Sequence, residues 1–120
     1  MPTPRPTLRV GVTLPSFRDD VAALEAAARA EAAGLDGVFV FDHQWPLGRP
    51  ERPAISSFPL LGAVAARTDR VALGPLVARV GVVPDALLVA QMASLALIAP
   101  GRVIAGIGTG DSMSAPENRA

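Results

Sequence analysis

The chain lacks cysteine altogether, and it has one histidine, His43, among its 120 residues. The absence of cysteine excludes disulfides, thiol catalysis and cysteine-ligated metals. A single histidine leaves too few nitrogen or sulfur ligands for a transition-metal centre, so we expect no metal site.

An excess of charge of either sign is also missing. Eleven basic and 11 acidic residues give a formal net charge of zero, and every basic residue is an arginine. The charges are spread along the chain without a basic stripe, so nothing electrostatic favours a nucleic-acid partner.

Long hydrophobic runs are absent as well. The longest uncharged run, residues 86–101, is too short to span a membrane and contains Gln91. Residues 1–10 hold three prolines and two arginines without an apolar stretch, which is not the pattern of a signal peptide. We therefore expect a cytoplasmic protein with no membrane partner.

Half of the residues in the chain are apolar. They fall into segments that alternate between the pattern of a strand and the pattern of a helix. Apolar runs predict strands at 8–14, 38–41, 71–77 and 102–107. Helical spacing predicts helices at 21–33, 59–67 and 85–98, with Asp19 or Asp20 capping the first and Gly34 ending it. Residues 44–58 read as a long loop, and residues 112–120 as an irregular tail.

This β-α-β-α-β-α-β order predicts an α/β domain with a parallel sheet and right-handed crossovers. The strands are nearly continuous apolar runs, which is typical of strands buried on both faces. Two closures fit the order equally: an open doubly wound sheet, or half of an eight-stranded barrel.

The first candidate site is the pair Asp42-His43, directly after the second predicted strand. Parallel α/β folds place their chemistry at the carboxyl ends of strands. A neutral imidazole there can donate to or accept from a ligand, and Asp42 could orient it or bind the ligand. Alternatively, both residues only cap the following loop. Trp45 either stacks on a planar ligand or anchors the loop.

The second candidate site is the run of alternating glycines Gly106, Gly108 and Gly110, followed by Asp111. In a strand these glycines share one face, which would let something flat or phosphorylated approach the backbone. A tight turn is the alternative, and Asp111 is then either an acid or a cap. Pro75 within the third predicted strand indicates a local irregularity, unless that strand begins after it.

With these motifs in order, the chain resembles the N-terminal half of the luciferase-like monooxygenases, especially their branch that uses the deazaflavin coenzyme F420. Four segments carry the resemblance: VGVTLP at 10–15, AEAAGLDGVFVFDH at 30–43, AARTDRVALG at 65–74 and PGRVIAGIGTGD at 100–111. The sequence departs from the family where Ala86 replaces the proline that usually opens the third helix. The phosphate-binding elements of the family lie in later strands.

The resemblance implies a (β/α)8 TIM barrel of which these residues supply the first four strands. It implies a cofactor, F420 with FMN as the alternative, at the carboxyl face of that barrel. His43 and Asp111 then become the candidate catalytic residues, with Asp111 giving or taking a proton, and Trp45 falls near the branch's active-site tryptophan. The implied cofactor-binding residues are Asp42, Leu76, Val77, Gly106, Gly108 and Thr109, and the bond between Leu76 and Val77 matches a non-proline cis peptide of the family.

Two functions follow as expectations. The first is an oxidoreductase or monooxygenase that moves a hydride between the cofactor and a small organic substrate. The second is a non-catalytic, truncated relic or interaction module, because four strands of a barrel leave unpaired edges at 8–14 and 102–107. Such edges pair with whatever is available, so we also expect the chain to be either a homodimer or aggregation-prone.

Overall fold

A computed structural model describes residues 1, 7–17 and 22–119 of the chain. Strands and helices alternate along it, except that the third and fourth strands follow one another directly. The elements are β1 Gly11–Thr13, α1 Ala22–Ala32, β2 Gly37–Val40, α2 Ser57–Arg67, β3 Ala72–Pro75, β4 Ala78–Arg79, α3 Asp85–Ile98, β5 Ile107–Gly108 and α4 Ala115–Asn118.

All strand pairs are parallel. β1, β2 and β3 form one sheet in that order, with Val38 of β2 opposite Leu73 of β3. β4 pairs with β5, and a single bridge between Leu73 and Val103 connects the two sheets. The predicted parallel α/β arrangement is therefore confirmed.

The helices follow the sequence prediction closely. α3 has the predicted bounds, α1 differs by one residue at each end, and α2 begins two residues early, at Ser57. Gly34 and Gly101 follow α1 and α3 with φ of 84° and 74°, a region that suits glycine after a helix. The predicted caps Asp19 and Asp20 lie outside the described residues.

The strands are shorter than predicted. The segment predicted at 71–77 is two strands, β3 and β4, and the non-proline peptide bond between Leu76 and Val77 separates them in the cis form. The segment predicted at 102–107 makes one bridge at Val103 and resumes as β5. Between these points the backbone of Ile104 approaches Gly74 so closely that a Cβ on Gly74 would overlap the Ile104 carbonyl oxygen. The ladder is interrupted because the two backbones meet there.

The core lies between the sheet and the helices α1 and α2. Val38, Val40 and Leu73 leave the sheet on that side and meet Leu61 and Val64 of α2. On the other face the ring of Phe39 lies over Gly11 and Gly37. The expectation of strands buried on both faces is wrong for β1, whose three residues are exposed, and for β5, where Ile107 is exposed, because no described element covers these residues.

Candidate active site

The site begins where β2 ends. The Asp42 carboxylate accepts a hydrogen bond from the Ser57 hydroxyl at 3.0 Å through Oδ1, and one from the Arg79 backbone N–H at 3.0 Å through Oδ2. Asp42 thus connects the end of β2 to the first residue of α2 and to β4. Neither contact is to the backbone of the loop that follows, so the capping alternative does not describe them, and the cofactor-binding role predicted for Asp42 stays a prediction.

His43 lies beside an aromatic pair and a carboxylate. Its ring centroid is 5.6 Å from that of Phe17 and 6.3 Å from that of Phe41, and those two phenyl rings stack at 6.0 Å. Its Nδ1 is 2.9 Å from Oε1 of Glu117, and its side chain is 16% exposed. Its Nε2 makes no hydrogen bond to any residue that the structure describes.

Glu117, from α4, is the centre of a buried network. Its Oε2 accepts from the backbone N–H of Gln44 at 3.0 Å and from Nη2 of Arg79 at 2.6 Å. Nη1 of the same guanidinium donates to Oδ1 of Asn118 at 3.1 Å. The Glu117 and Arg79 side chains are only 1% and 4% exposed, so this ion pair is held away from water.

Two opposing effects set the charge of Glu117. Burial raises the pKa of the Glu117 carboxyl, while the Gln44 N–H, the His43 ring and the Arg79 guanidinium lower it. The lowering contacts prevail, so the pKa lies below its ordinary value and Glu117 is a carboxylate at neutral pH.

The alternating glycines accommodate the chain itself. A Cβ on Gly108 would lie 2.6 Å from Cγ2 of Val77, and one on Gly106 would lie 2.5 Å from the Pro75 carbonyl oxygen. The segment around the cis peptide therefore fills the space beside Gly106 and Gly108, and the cofactor-binding role predicted for these two glycines stays a prediction. The surface that remains exposed here is Leu76, 45% exposed, and Thr109.

Asp111 is exposed and folded into a turn before α4. Its Oδ1 accepts from the Ser114 N–H at 3.0 Å, and its own N–H donates to the Ser114 hydroxyl at 3.0 Å. The backbone and side-chain hydrogen bonds from Ser114 lower the pKa of the Asp111 carboxyl. These contacts match the capping alternative, and the catalytic role of Asp111 stays a prediction. Trp45 is half-buried in the loop and takes no part in the ring contacts of His43.

Two clefts flank the histidine. One of about 380 Å³ is lined in part by Asp42 and His43, together with residues from the start of α2 and from α3. A second, of about 330 Å³, lies at the end of β1, where Phe17 and Phe41 form part of the wall. It also holds Ser16, whose buried hydroxyl has no hydrogen-bond partner among the described residues. The clefts therefore offer apolar surface together with the Ser16 hydroxyl and His43 Nε2, neither of which has a hydrogen-bond partner among the described residues.

Sequence reasoning missed the residues that hold the histidine, Glu117 and Arg79. The expectation of an irregular tail is also wrong, because α4 forms there and buries Glu117. One acid in a polar tail has no pattern that predicts burial, and its partners lie 74 and 38 residues away. Only the folded chain brings them together.

The described residues contain no group of three or more His, Asp or Glu side chains placed to hold a metal ion. Among the same residues, no helix is long and apolar enough to cross a membrane.

A parallel α/β half barrel with a histidine and a buried carboxylate at the carboxyl ends of its strands belongs to the TIM-barrel class of proteins. The chain is a member of the luciferase-like monooxygenase family, whose model matches residues 9–118. The predicted resemblance and the predicted half barrel are both confirmed.

Curated relatives of the chain include F420-dependent glucose-6-phosphate dehydrogenases. That of Nakamurella multipartita is 41% identical over 91 residues, which are 75% of this chain and 27% of the relative. That of Beutenbergia cavernae is 45% identical over 86 residues, which are 71% of this chain and 26% of the relative. The matches thus span about a quarter of the length of these relatives.

Solved structures share the fold. An F420-dependent secondary alcohol dehydrogenase in complex with an F420-acetone adduct superimposes with a TM-score of 0.73 at 26% identity, covering 88% of this chain and 33% of that one. A type II Baeyer-Villiger monooxygenase from Pseudomonas putida in complex with FMN gives 0.72 at 21% identity, covering 92% and 32%. The second likeness concerns the fold alone.

Proposed function

We propose that this chain forms part of the cofactor and substrate site of an oxidoreductase that transfers a hydride between F420 and a small organic substrate, with FMN as the alternative cofactor. One observation carries the proposal: His43 Nε2, at the carboxyl end of β2 and beside exposed apolar surface, has no hydrogen-bond partner in the described part of the chain. The relatives are F420-dependent dehydrogenases, which favours the deazaflavin over FMN.

The residues present fit a planar, mostly apolar ring. Phe41 and Leu76 are neighbours, because the Leu76 N–H donates to the carbonyl of Val40, and both side chains are partly exposed. The unpaired Ser16 hydroxyl lies in the same region, in the cleft lined by Phe41. An apolar wall with a few polar atoms is the usual character of a cofactor site.

The bound cofactor would supply the hydride chemistry, and this chain would supply binding and proton transfer. When a hydroxyl carbon of the substrate loses a hydride, the hydroxyl proton must also leave, and an unpaired imidazole nitrogen can accept it. In this proposal His43 is that acceptor. Leu76, Val77 and Thr109 border the ring, and Asp111 is a second acid at the edge of the site.

Titration of the chain with F420 and, separately, with FMN tests the proposal through quenching of the cofactor fluorescence. We expect saturable quenching by F420 and weaker quenching by FMN. Leu76→Arg should abolish it, because the substituted side chain places a charge on the apolar surface that the ring needs. Leu97→Arg is the matched control, since Leu97 is also an exposed leucine but lies on α3, and it should bind like the parent. Absence of quenching by both cofactors, or equal loss in both variants, would contradict the proposal.

A second test removes the imidazole of His43 and measures turnover with F420 and an alcohol substrate. His43→Ala should lower turnover by about 10²–10⁴-fold while cofactor quenching is retained, which is the usual contribution of a general base. An unchanged rate would remove His43 from the reaction.

A second candidate function is a non-catalytic interaction module that pairs with another copy of itself. The observation that favours it is the apolar surface beside β5, a cleft of about 470 Å³ lined by Leu88, Val89, Met92, Ala93, Ala96, Val103, Ala105 and Ile107. Two copies could cover this surface for each other. Cofactor quenching separates the two functions, because an interaction module needs no cofactor.

The cytoplasmic location stays a prediction.

A further inference from the structure

The two oxygens of the Glu117 carboxylate have different partners. Oε2 accepts two donors that cannot act as acceptors, the Gln44 backbone N–H and Nη2 of Arg79. Oε1 has one partner, Nδ1 of His43 at 2.9 Å. A carboxylate can only accept, so the hydrogen bond to His43 forms only when Nδ1 carries a proton.

We propose that Glu117 is a positioning residue that fixes neutral His43 with its proton on Nδ1 and its lone pair on Nε2. The nitrogen that faces a ligand is then a hydrogen-bond acceptor, suited to the O–H or N–H of a substrate. The use of this acceptor in catalysis rests on the function proposed above, but the protonation pattern of the ring does not.

Burial makes this arrangement stable. The Arg79 guanidinium is permanently charged and shares the buried site with Glu117, so loss of the carboxylate charge would leave an unpaired buried cation. Asn118 accepts from Nη1 of the same guanidinium and holds it in place. Two other acids lie nearby, and neither bonds to the imidazole. Asp42 accepts from the Ser57 hydroxyl and the Arg79 N–H, and the exposed Asp111 bonds to Ser114.

The same geometry predicts what an amide at position 117 would do. In Glu117→Gln, the place of Oε2 still receives the Gln44 N–H and Nη2 of Arg79, so the amide oxygen must lie there. The amide nitrogen then faces Nδ1 of His43 and donates to it. The imidazole proton is forced onto Nε2, so a substitution of nearly equal size reverses the ring's protonation pattern.

Nitrogen NMR of the chain with ring-labelled histidine tests this directly, because His43 is the single histidine and its two ring resonances need no further assignment. At a pH of about 9, where an ordinary imidazole is neutral, the parent should show a protonated Nδ1 and an unprotonated Nε2. Glu117→Gln should show the reverse. Glu25→Gln, at an exposed position on α1, is the matched control and should keep the parental pattern.

The outcomes separate this proposal from the proposed function. A parent spectrum with the proton on Nε2 overturns the role of Glu117, even if the variant fails to fold. Identical patterns in the parent and a folded Glu117→Gln variant overturn it as well. If the patterns reverse as expected and the chain binds neither F420 nor FMN, only the proposed function fails.

Discussion

The helices α2 and α3 are both rich in apolar residues, but the structure covers them very differently. α2 buries five of its residues: Ser57, Leu60, Leu61, Val64 and Ala65. α3 is three residues longer and buries only Leu88 and Leu95, while Leu97 is 84% exposed. An apolar side chain stabilises a fold only where other residues remove it from water. α2 is therefore part of the hydrophobic core, whereas one face of α3 is exposed to solvent.

The largest difference in the free energy of unfolding should appear when one leucine on each helix is replaced by alanine. Leu61→Ala removes a fully buried side chain from the core and should lower the free energy of unfolding by about 2–5 kcal/mol. Leu97→Ala should change it by less than about 0.5 kcal/mol. Urea denaturation followed by circular dichroism measures both, and a similar loss at Leu97 would mean that α3 is covered in solution.

Two glycines differ in the same way, since Gly74 is packed against the Ile104 backbone and Gly62 of α2 has open space beside it. Gly74→Ala places a Cβ against the Ile104 backbone and should destabilise the chain by on the order of 3 kcal/mol, since neither backbone can yield. Gly62→Ala, within α2 and with nothing within 4 Å of the added Cβ, should instead stabilise by about 0.5–1 kcal/mol. The same denaturation curves decide this, and a tolerated Gly74→Ala would refute the close approach.

Acid should loosen the contact between α4 and the end of β2. The pKa of Glu117 is lowered in the folded chain, so its stabilising contribution is full above the ordinary value of 4.5 and is lost as the pH falls through the lower folded value. Glu117→Gln should remove that part of the pH dependence. Unfolding midpoints between pH of about 6 and 3 measure it, and parallel curves for the two proteins would show that Glu117 is not ionised in this network.

A substitution on the exposed face of α3 should change the stability of the chain least. Its main effect should be on the association of two copies. If two copies cover each other, a charge on that face should dissociate them, because a buried unpaired charge is costly. Val89→Glu, within the apolar cleft, should shift the sedimentation of a dimer to that of a monomer at low micromolar protein. Arg29→Glu on α1 is the exposed control. A parent that sediments as a monomer would contradict the homodimer.

Much of the local structure could be predicted from the sequence. The bounds of α3 follow from its apolar spacing and from the Pro100-Gly101 stop, and the end of α1 follows from Gly34. The parallel order follows from the alternation of elements, and the resemblance added the barrel and the cis peptide before Val77. The position of His43 at the end of a strand could also be predicted, because it directly follows an apolar run.

The tertiary structure alone decided what those residues contact. Pro75 predicted an irregularity in the third strand, which the structure shows, but the shortening of the strand at 102–107 could not be predicted, because it follows from the close approach of Ile104 to Gly74. The burial of Glu117 and Arg79 depends on contacts between residues far apart in the chain, which periodicity does not encode. The sequence determined which segments form helices and where a histidine follows a strand, since those depend on neighbouring residues. The fold decided which nitrogen of that histidine is held and which is left free, because that depends on packing between distant ones.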